Sequence, residues 1–350
     1  MSKLLIMAGG TGGHVFPALA VANALRDKNT EITWLGTHKG LEASVIPANN
    51  ITMEWVTVEG LRGKGMLSWL LAPIKIVRAI IQSMRAIRRV NPDCILGMGG
   101  FVSGPGGLAS RLIGKPLVVH EQNAVAGLTN KYLAKIANTI LTGFPNVEGL
   151  PDVAKWVGNP VRNSIQPSVN DSQERINVLV IGGSQGAHSL NKCLPKLFSA
   201  HKEKINIWHQ TGNNRATEVV GQYQALDVSA KVTEFIDDMA AAYSWADLLV
   251  CRAGAMTIAE CCAAAKPALL VPYPFSAGDH QQRNAQVMAG VNAGLIVSNR
   301  TLNESETLPE LEQLLSDKSE LIDMGKRAFE LHKPNALDDV VAACEEYLHA

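Results

Sequence analysis

A chain of 350 residues has room for two α/β domains, each with its own core. Its 47% hydrophobic and 18% charged residues describe a globular protein, and a formal net charge of zero argues against nucleic acid as a partner. Six cysteines without CxxC or zinc-type spacing read as buried, reduced thiols, and no stretch approaches the ~20 apolar residues of a membrane span. Met1-Ser2-Lys3 leads straight into a strand without a signal-peptide pattern, so a cytoplasmic protein with at most peripheral membrane contact is expected.

In chain order, Leu4-Leu5-Ile6-Met7 predicts a strand over 3–8, followed by the turn Gly9-Gly10-Thr11-Gly12-Gly13-His14 and a helix over 15–27. Glycine lets such a turn bend sharply and approach a ligand, while free N–H groups and the helix dipole attract anions. Strands are predicted near 31–36, 94–97, 117–120 and 138–142, and helices near 67–89, 104–113 and 127–136. Gly158-Asn159-Pro160-Val161-Arg162 breaks this rhythm, and a linker is expected around 155–172. The pattern restarts with a strand over 176–181 and a second glycine turn, Gly182-Gly183-Ser184-Gln185-Gly186-Ala187-His188. Strands near 205–210, 231–235, 247–251 and 268–271 follow, then a polar stretch over 299–308 and two final helices. This alternation predicts an α/β chain of two doubly wound, parallel-sheet, Rossmann-like domains facing across a cleft at the carboxyl ends of their strands. The expected boundaries are 1–160 and 161–334, with a helix over 335–350 crossing back to the first domain.

Two strand–turn–helix units suggest a phosphorylated ligand, but the common fingerprints fail. In the dinucleotide frame Val15 stands where a third glycine or alanine belongs, and Trp34-Leu35-Gly36-Thr37 lacks the acidic residue for a ribose. Neither turn is followed by GK[ST]. The second half carries a more specific pattern in Ala253-Gly254-Ala255-Met256-Thr257, a small-residue turn from strand to helix. Its N–H groups and hydroxyl suit a diphosphate. Glu260, about 5 Å further along the axis, could accept both hydroxyls of a ribose or simply complement the dipole of its own helix. Residues 66–89 combine Met66, Leu67, Trp69, Leu70, Leu71, Ile74, Ile80 and Ile81 with Lys64, Lys75, Arg78, Arg85, Arg88 and Arg89. That mixture fits either a helix resting on anionic lipid or a core helix with a solvated basic face.

The motifs at 9–17 and 97–105, His120-Glu121-Gln122-Asn123, the turn at 182–187 and the stretch from Phe235-Ile236 to Ile258-Ala259-Glu260 together resemble the MurG family of glycosyltransferases. The resemblance runs in order over nearly the whole chain. It implies a GT-B fold with an acceptor- and membrane-binding first domain and a donor-binding second one. The implied reaction is inverting transfer of N-acetylglucosamine from UDP-GlcNAc to the 4-hydroxyl of lipid I, giving lipid II for peptidoglycan. It further implies that Ile236 and Arg162 attend the uracil, that Ser184 and the turn Ala255, Met256 and Thr257 hold the diphosphate, that Ile258 and Ala259 also belong to the donor site, and that Glu260 takes the ribose. Asn123, Gln281 and Gln282 would recognise the sugar, and Thr11, Gly12 and Gly13 would face the reacting centre and the acceptor pyrophosphate. Phe101 departs from the family, where tyrosine is common at that place.

No DxD motif occurs, so neither metal nor cofactor is expected. His14 is the first candidate base, because imidazole titrates near neutrality, and Glu121 is the second. The partners implied are UDP-GlcNAc, lipid I, the anionic cytoplasmic face of the inner membrane, and cell-wall synthesis and division proteins. Alternatives are a diacylglycerol glycosyltransferase, a UDP-GlcNAc 2-epimerase, or a scaffold without catalysis.

Overall fold

In the computed structural model, which describes residues 1–58, 72–170, 175–183, 186–302 and 304–348, the chain divides into two compact units. Met1–Pro160 and Pro334–Ala350 form the first, Val161–Lys333 the second.

Strand β1 (Lys3–Ala8) shows how the first unit is built, because its side chains alternate between two cores. Leu4, Ile6 and Ala8 pack with Val15, Val21 and Leu25 of helix α1 (Gly12–Asp27), whereas Leu5 and Met7 face Ala86, Ile87 and Ala109. A strand covered on both faces needs apolar residues at every position, which is why β1 reads as an unbroken run. Around it lie β2 (Glu31–Gly36), β3 (Thr52–Trp55), β4 (Cys94–Gly99), β5 (Leu117–Glu121), β6 (Thr139–Thr142) and β7 (Lys155–Trp156). All pairings are parallel, in the order β3-β2-β1-β4-β5-β6-β7. Helices α2 (Glu42–Ala48), α3 (Ala72–Val90), α4 (Ser103–Ile113) and α5 (Leu128–Leu133) connect them.

The second unit repeats the plan around β8 (Ile176–Ile181), with β9 (Ile205–Gln210), β10 (Lys231–Thr233), β11 (Leu248–Cys251), β12 (Ala268–Leu270) and β13 (Gly294–Ile296). Its parallel order is β10-β9-β8-β11-β12-β13. The helices are α6 (His188–Ser199), α7 (Ala216–Ala225), α8 (Met239–Trp245), α9 (Ala255–Ala263), α10 (His280–Gly290), α11 (Glu304–Ser316) and α12 (Lys318–Glu330). Each sheet reverses its strand order beside its first strand, between β1 and β4 and between β8 and β11. Both glycine turns leave the sheet at these reversals, where open α/β sheets bind ligands.

Helix α13 (Ala336–Leu348) belongs to the first unit, where Val340, Val341, Cys344 and Leu348 share a core with Leu4 and Ile6. The Ser2 hydroxyl donates to the Leu348 carbonyl at 2.9 Å, and the Thr139 and Tyr347 hydroxyls meet at 2.9 Å. Each fully buried aliphatic side chain stabilises by about 1.5–3 kcal/mol, so this helix is a structural part of that core.

Several expectations need correction. The first glycine turn is not separate from its helix, since Gly12, Gly13 and His14 already form the first turn of α1. The linker expected over 155–172 opens with β7, which pairs Lys155 with Leu141 and Trp156 with Thr142. Three helices follow residue 303 rather than two, because Leu311, Leu314 and Leu315 give α11 a buried face within a polar sequence. The short elements β3, β13 and α2 were not expected, being too brief for periodicity to mark them. The helix predicted over 67–89 is described from Ala72 onward, and its earlier residues lie outside the described residues.

Candidate functional site

In the first unit the site is built at the carboxyl ends of β1, β4 and β5. Thr11 precedes α1, and its carbonyl accepts from the N–H groups of His14 and Val15 at 3.1 and 3.2 Å. The N–H groups of Gly12 and Gly13 therefore lie in the helix's first turn, before those bonds. Thr11 is exposed, whereas Gly12, Gly13 and His14 are half-buried. The turn after β4 packs against them. Gly99 (φ 102°) leaves room for the imidazole, as a Cβ there would lie 2.9 Å from His14 Nδ1 and Cε1. At Gly100 (φ 85°) a Cβ would collide with the Gly9 carbonyl at 2.3 Å. These contacts explain why two distant glycine motifs occur in one sequence. Phe101 is exposed in the same turn.

Glu121 ends β5 with its side chain buried and its oxygens occupied. Oε1 accepts from the Asn123 backbone N–H and side-chain amide, both at 3.0 Å, and Oε2 from Gly127 N–H at 3.1 Å and the Asn130 amide at 2.8 Å. Four donors organise the loop over 121–130 and hold Asn123, the expected sugar contact, against the strand end. The neighbouring His120 and Gln122 are also buried. Gln122 Oε1 lies 2.8 Å from His14 Nδ1, and Gln122 Nε2 lies 3.0 Å from His120 Nδ1 and 3.1 Å from the His120 carbonyl. His120 Nε2 lies 2.9 Å from the Gly158 carbonyl. Burial pushes the His120 imidazole down to about 4, although the Gly158 carbonyl and Glu121 oppose that shift.

Sequence reasoning missed the residue beneath the first glycine turn. Glu42, fully buried at the start of α2, accepts from Gly10 N–H at 3.0 Å and from the Thr37 N–H and hydroxyl at 3.1 and 2.8 Å. No local pattern marks Glu42, because its partner Gly10 is 32 residues away.

In the second unit the corresponding anchor is an amide. Gln210, at the end of β9, accepts from Gly182 N–H at 3.1 Å and donates to the carbonyls of Gly183 at 3.1 Å and Glu234 at 2.8 Å. It thus ties the second glycine turn to the segment that carries half-buried Ile236. Ser184 and Gln185, the middle of that turn, lie outside the described residues. Beside it, α9 begins at Ala255 behind an extended Gly254, and the Ile258 N–H is bonded to the Gly254 carbonyl at 2.9 Å. The N–H groups of Ala255, Met256 and Thr257 come before that bond and form an anion-attracting helix start. Ile258 is buried and Ala259 half-buried on the next turn.

Glu260 follows, half-buried, with the Tyr243 hydroxyl donating to its Oε2 at 3.0 Å. Burial pushes the Glu260 carboxyl above the usual carboxylate range, while the Tyr243 hydrogen bond and the charge of exposed Arg162 pull it back. Gln281 and Gln282 stand in the first turn of α10, which is joined to the turn before α9 by buried Asn284, whose amide donates to the Ala253 carbonyl at 3.1 Å. Gln281 Oε1 accepts from Tyr273 N–H at 2.8 Å. Half-buried Arg252 donates to the Val271 carbonyl at 2.9 Å and the Ser189 hydroxyl at 2.8 Å, joining β11, β12 and α6. Tyr243, Arg252 and Asn284 are further supporting residues that spacing alone did not reveal.

In comparisons with known proteins, one family model matches each half of the chain. Residues 4–142 match the glycosyltransferase family 28 N-terminal domain and residues 177–340 the glycosyltransferase family 28 C-terminal domain. The chain is 45% identical over 353 residues to the UDP-N-acetylglucosamine–N-acetylmuramyl-(pentapeptide) pyrophosphoryl-undecaprenol N-acetylglucosamine transferase of Nitrosococcus oceani, covering 98% of each chain. It is 46% identical over 358 residues to the Cellvibrio japonicus enzyme of the same name, covering 99% of each. Among solved structures it is similar to Acinetobacter baumannii MurG, with a TM-score of 0.85, 36% identity, and coverage of 99% of this chain and 100% of that one.

Proposed function

Because the chain belongs to glycosyltransferase family 28, we propose that it transfers N-acetylglucosamine from UDP-N-acetylglucosamine to the 4-hydroxyl of the N-acetylmuramyl group of lipid I. The products are lipid II and UDP. The observation that carries this reading is the full-length match, at 45% identity, to a transferase named for that donor and acceptor. The two Rossmann-like units are those of a GT-B enzyme.

On this reading the second unit holds the donor. The N–H groups of Ala255, Met256 and Thr257 meet the diphosphate, and Glu260, steadied by Tyr243, accepts the ribose hydroxyls. Arg162 and Ile236 attend the uracil, and Gln281 and Gln282 the sugar. The first unit supplies the base. The acceptor 4-oxygen attacks the anomeric carbon from the face opposite UDP, and its proton passes to His14. The new carbon–oxygen bond forms as the bond to the β-phosphate oxygen breaks. The electron pair leaves on UDP, where helix-end N–H groups stabilise it. We favour His14 over Glu121, because the Glu121 carboxylate is spent on four loop donors.

A lipid acceptor requires contact with a bilayer surface. Among the described residues no helix is long and apolar enough to cross a membrane. Helix α3 instead exposes Ile74, Val77 and Ile81 beside Arg78 and Arg85, and neighbouring α4 and α5 expose Leu112 and Leu128. Apolar side chains rimmed by arginine suit the anionic cytoplasmic face of the inner membrane, each basic residue contributing about 1 kcal/mol. The remainder of the proposed surface, Lys64 to Leu71, lies outside the described residues.

The test is transfer of radiolabel from UDP-N-acetylglucosamine to a lipid I analogue, with a control lacking acceptor. Acceptor-dependent transfer is expected. Donor conversion without acceptor would instead indicate an epimerase, and no turnover by folded protein would indicate a scaffold.

A further inference from the structure

The hydrogen-bonded chain from His14 to Gly158 fixes, from its far end inward, which nitrogen of His14 carries a proton. The Gly158 carbonyl can only accept, so His120 Nε2, 2.9 Å away, is the protonated nitrogen. His120 is wholly buried and the Glu121 carboxylate is engaged elsewhere, so the ring is neutral and its Nδ1 bears a lone pair. The Gln122 atom 3.0 Å from that lone pair must then be a donor, which makes it the amide nitrogen. The same atom lies 3.1 Å from the His120 carbonyl, where an oxygen would be repelled, so the amide orientation is determined twice. Gln122 Oε1 is therefore the atom facing His14 Nδ1 at 2.8 Å, and an amide oxygen can only accept. Nδ1 must carry the hydrogen.

We propose that Gln122 and His120 are positioning residues that hold His14 as the Nδ1–H tautomer and leave its Nε2 lone pair for the acceptor hydroxyl. This rests on the reading of His14 as the base. Gly99 completes the arrangement, since its missing side chain lets the Nδ1 edge sit against the β4 turn. During transfer the acceptor proton goes to Nε2 and stays there. Gln122 does not relay it, because an amide oxygen is not a proton acceptor, but the Nδ1–H bond to Oε1 strengthens as the imidazolium forms. The layout matches the orienting half of a catalytic triad, with a neutral amide in place of the carboxylate. The titratable neighbour linked to this ring is His120, behind Gln122, whereas Glu121 is engaged by its own loop and Glu42 by Gly10 and Thr37.

Long-range nitrogen–proton NMR on the whole protein labelled with 15N-histidine tests the tautomer without any assay of transfer. The expected spectrum shows His14 protonated at Nδ1 with a lone-pair Nε2, and His120 protonated at Nε2. A His14 ring protonated at Nε2 would overturn the proposal, whatever the activity. Gln122→Glu keeps the length and adds a negative charge beside Nδ1–H, and its second oxygen, standing where the amide nitrogen was, requires a proton on His120 Nδ1. That charge favours the imidazolium, so the acidic limb of the kcat/KM–pH profile should move up by about one unit with UDP affinity unchanged. Gln122→Met removes the acceptor and should lower kcat about 10- to 100-fold at constant donor KM, with both His14 tautomers visible by NMR. Loss of kcat in these variants without a change of limb or tautomer would reduce Gln122 to a packing role and sink the proposal. If His14→Ala retains transfer, the base assignment fails instead, a result distinguishable because the tautomer is read independently.

Discussion

The two glycine turns occupy the same place in their sheets yet are anchored by different chemistry. In the first unit the anchor is the carboxylate of Glu42, beneath Gly10; in the second it is the neutral amide of Gln210, beneath Gly182. A buried carboxylate behind a turn uses up an N–H group and lowers the local potential, which works against binding a diphosphate. An amide fixes the turn without that cost in potential. The difference teaches that a shared strand–turn–helix plan can serve two tasks: on the proposed reading the first turn presents His14 and the second receives the nucleotide.

The largest effect that could break this comparison comes from deleting the presented group. His14→Ala should lower kcat by about 10²- to 10⁴-fold while donor affinity, measured by calorimetry with UDP, stays near normal. The mirror experiment, Glu260→Ala, should raise donor KM by about 10- to 100-fold with little change in kcat, since a charge-assisted hydrogen bond is worth about 1.5–3 kcal/mol. If both variants fail in the same parameter, the division of labour is wrong.

Exchanging the anchors is a finer test. Gln210→Glu places a carboxylate behind the second turn and should weaken UDP binding about tenfold while affecting uridine far less. Glu42→Gln should leave UDP binding alone but loosen the first turn, costing about 1–3 kcal/mol of stability, measured by denaturant unfolding, because one donor then faces another.

The smallest effect at neutral pH concerns two fully buried imidazoles, His120 in the first unit and His209 in the second. Burial holds His120 down to about 4 and His209 down to about 3. The unfolded chain therefore binds protons below about pH 6.5 that the folded one refuses, so stability is complete above that pH and is lost on acidification toward pH 4 for His120 and pH 3 for His209. Thermal unfolding across this window should fall by about 1.4 kcal/mol per pH unit for each histidine. His209→Gln, which suits the Tyr223 hydroxyl at 2.9 Å and the Asn191 amide at 3.1 Å, should flatten the slope assigned to the second unit.

How much of this was legible in the sequence follows from the range of each interaction. The glycine turns, the strands they leave and the helix start at Ala255 are local, so residue type and spacing sufficed to mark them. Glu42 and Gln122 are different, since their ligands Gly10 and His14 lie 32 and 108 residues away and only the parallel sheet brings them together. Glu121 illustrates the converse. A carboxylate beside a histidine at a strand end reads as a base, but its four donors come from a loop whose path no spacing encodes. The helix at Glu304–Ser316 was hidden because its polar surface residues outnumber the leucines that bury it.

The packing of Ala336–Leu348 against Leu4 and Ile6 also sets the order of events at birth. Ser2 finds its partner 346 positions later, so the amino-terminal unit waits for its closing wedge until the ribosome has made the entire carboxyl-terminal unit. Vectorial synthesis favours early completion of what emerges first, but here the second unit is free to mature while the first remains open-cored. A released chain ending before residue 336 should accordingly bind UDP yet yield its first 160 residues to protease.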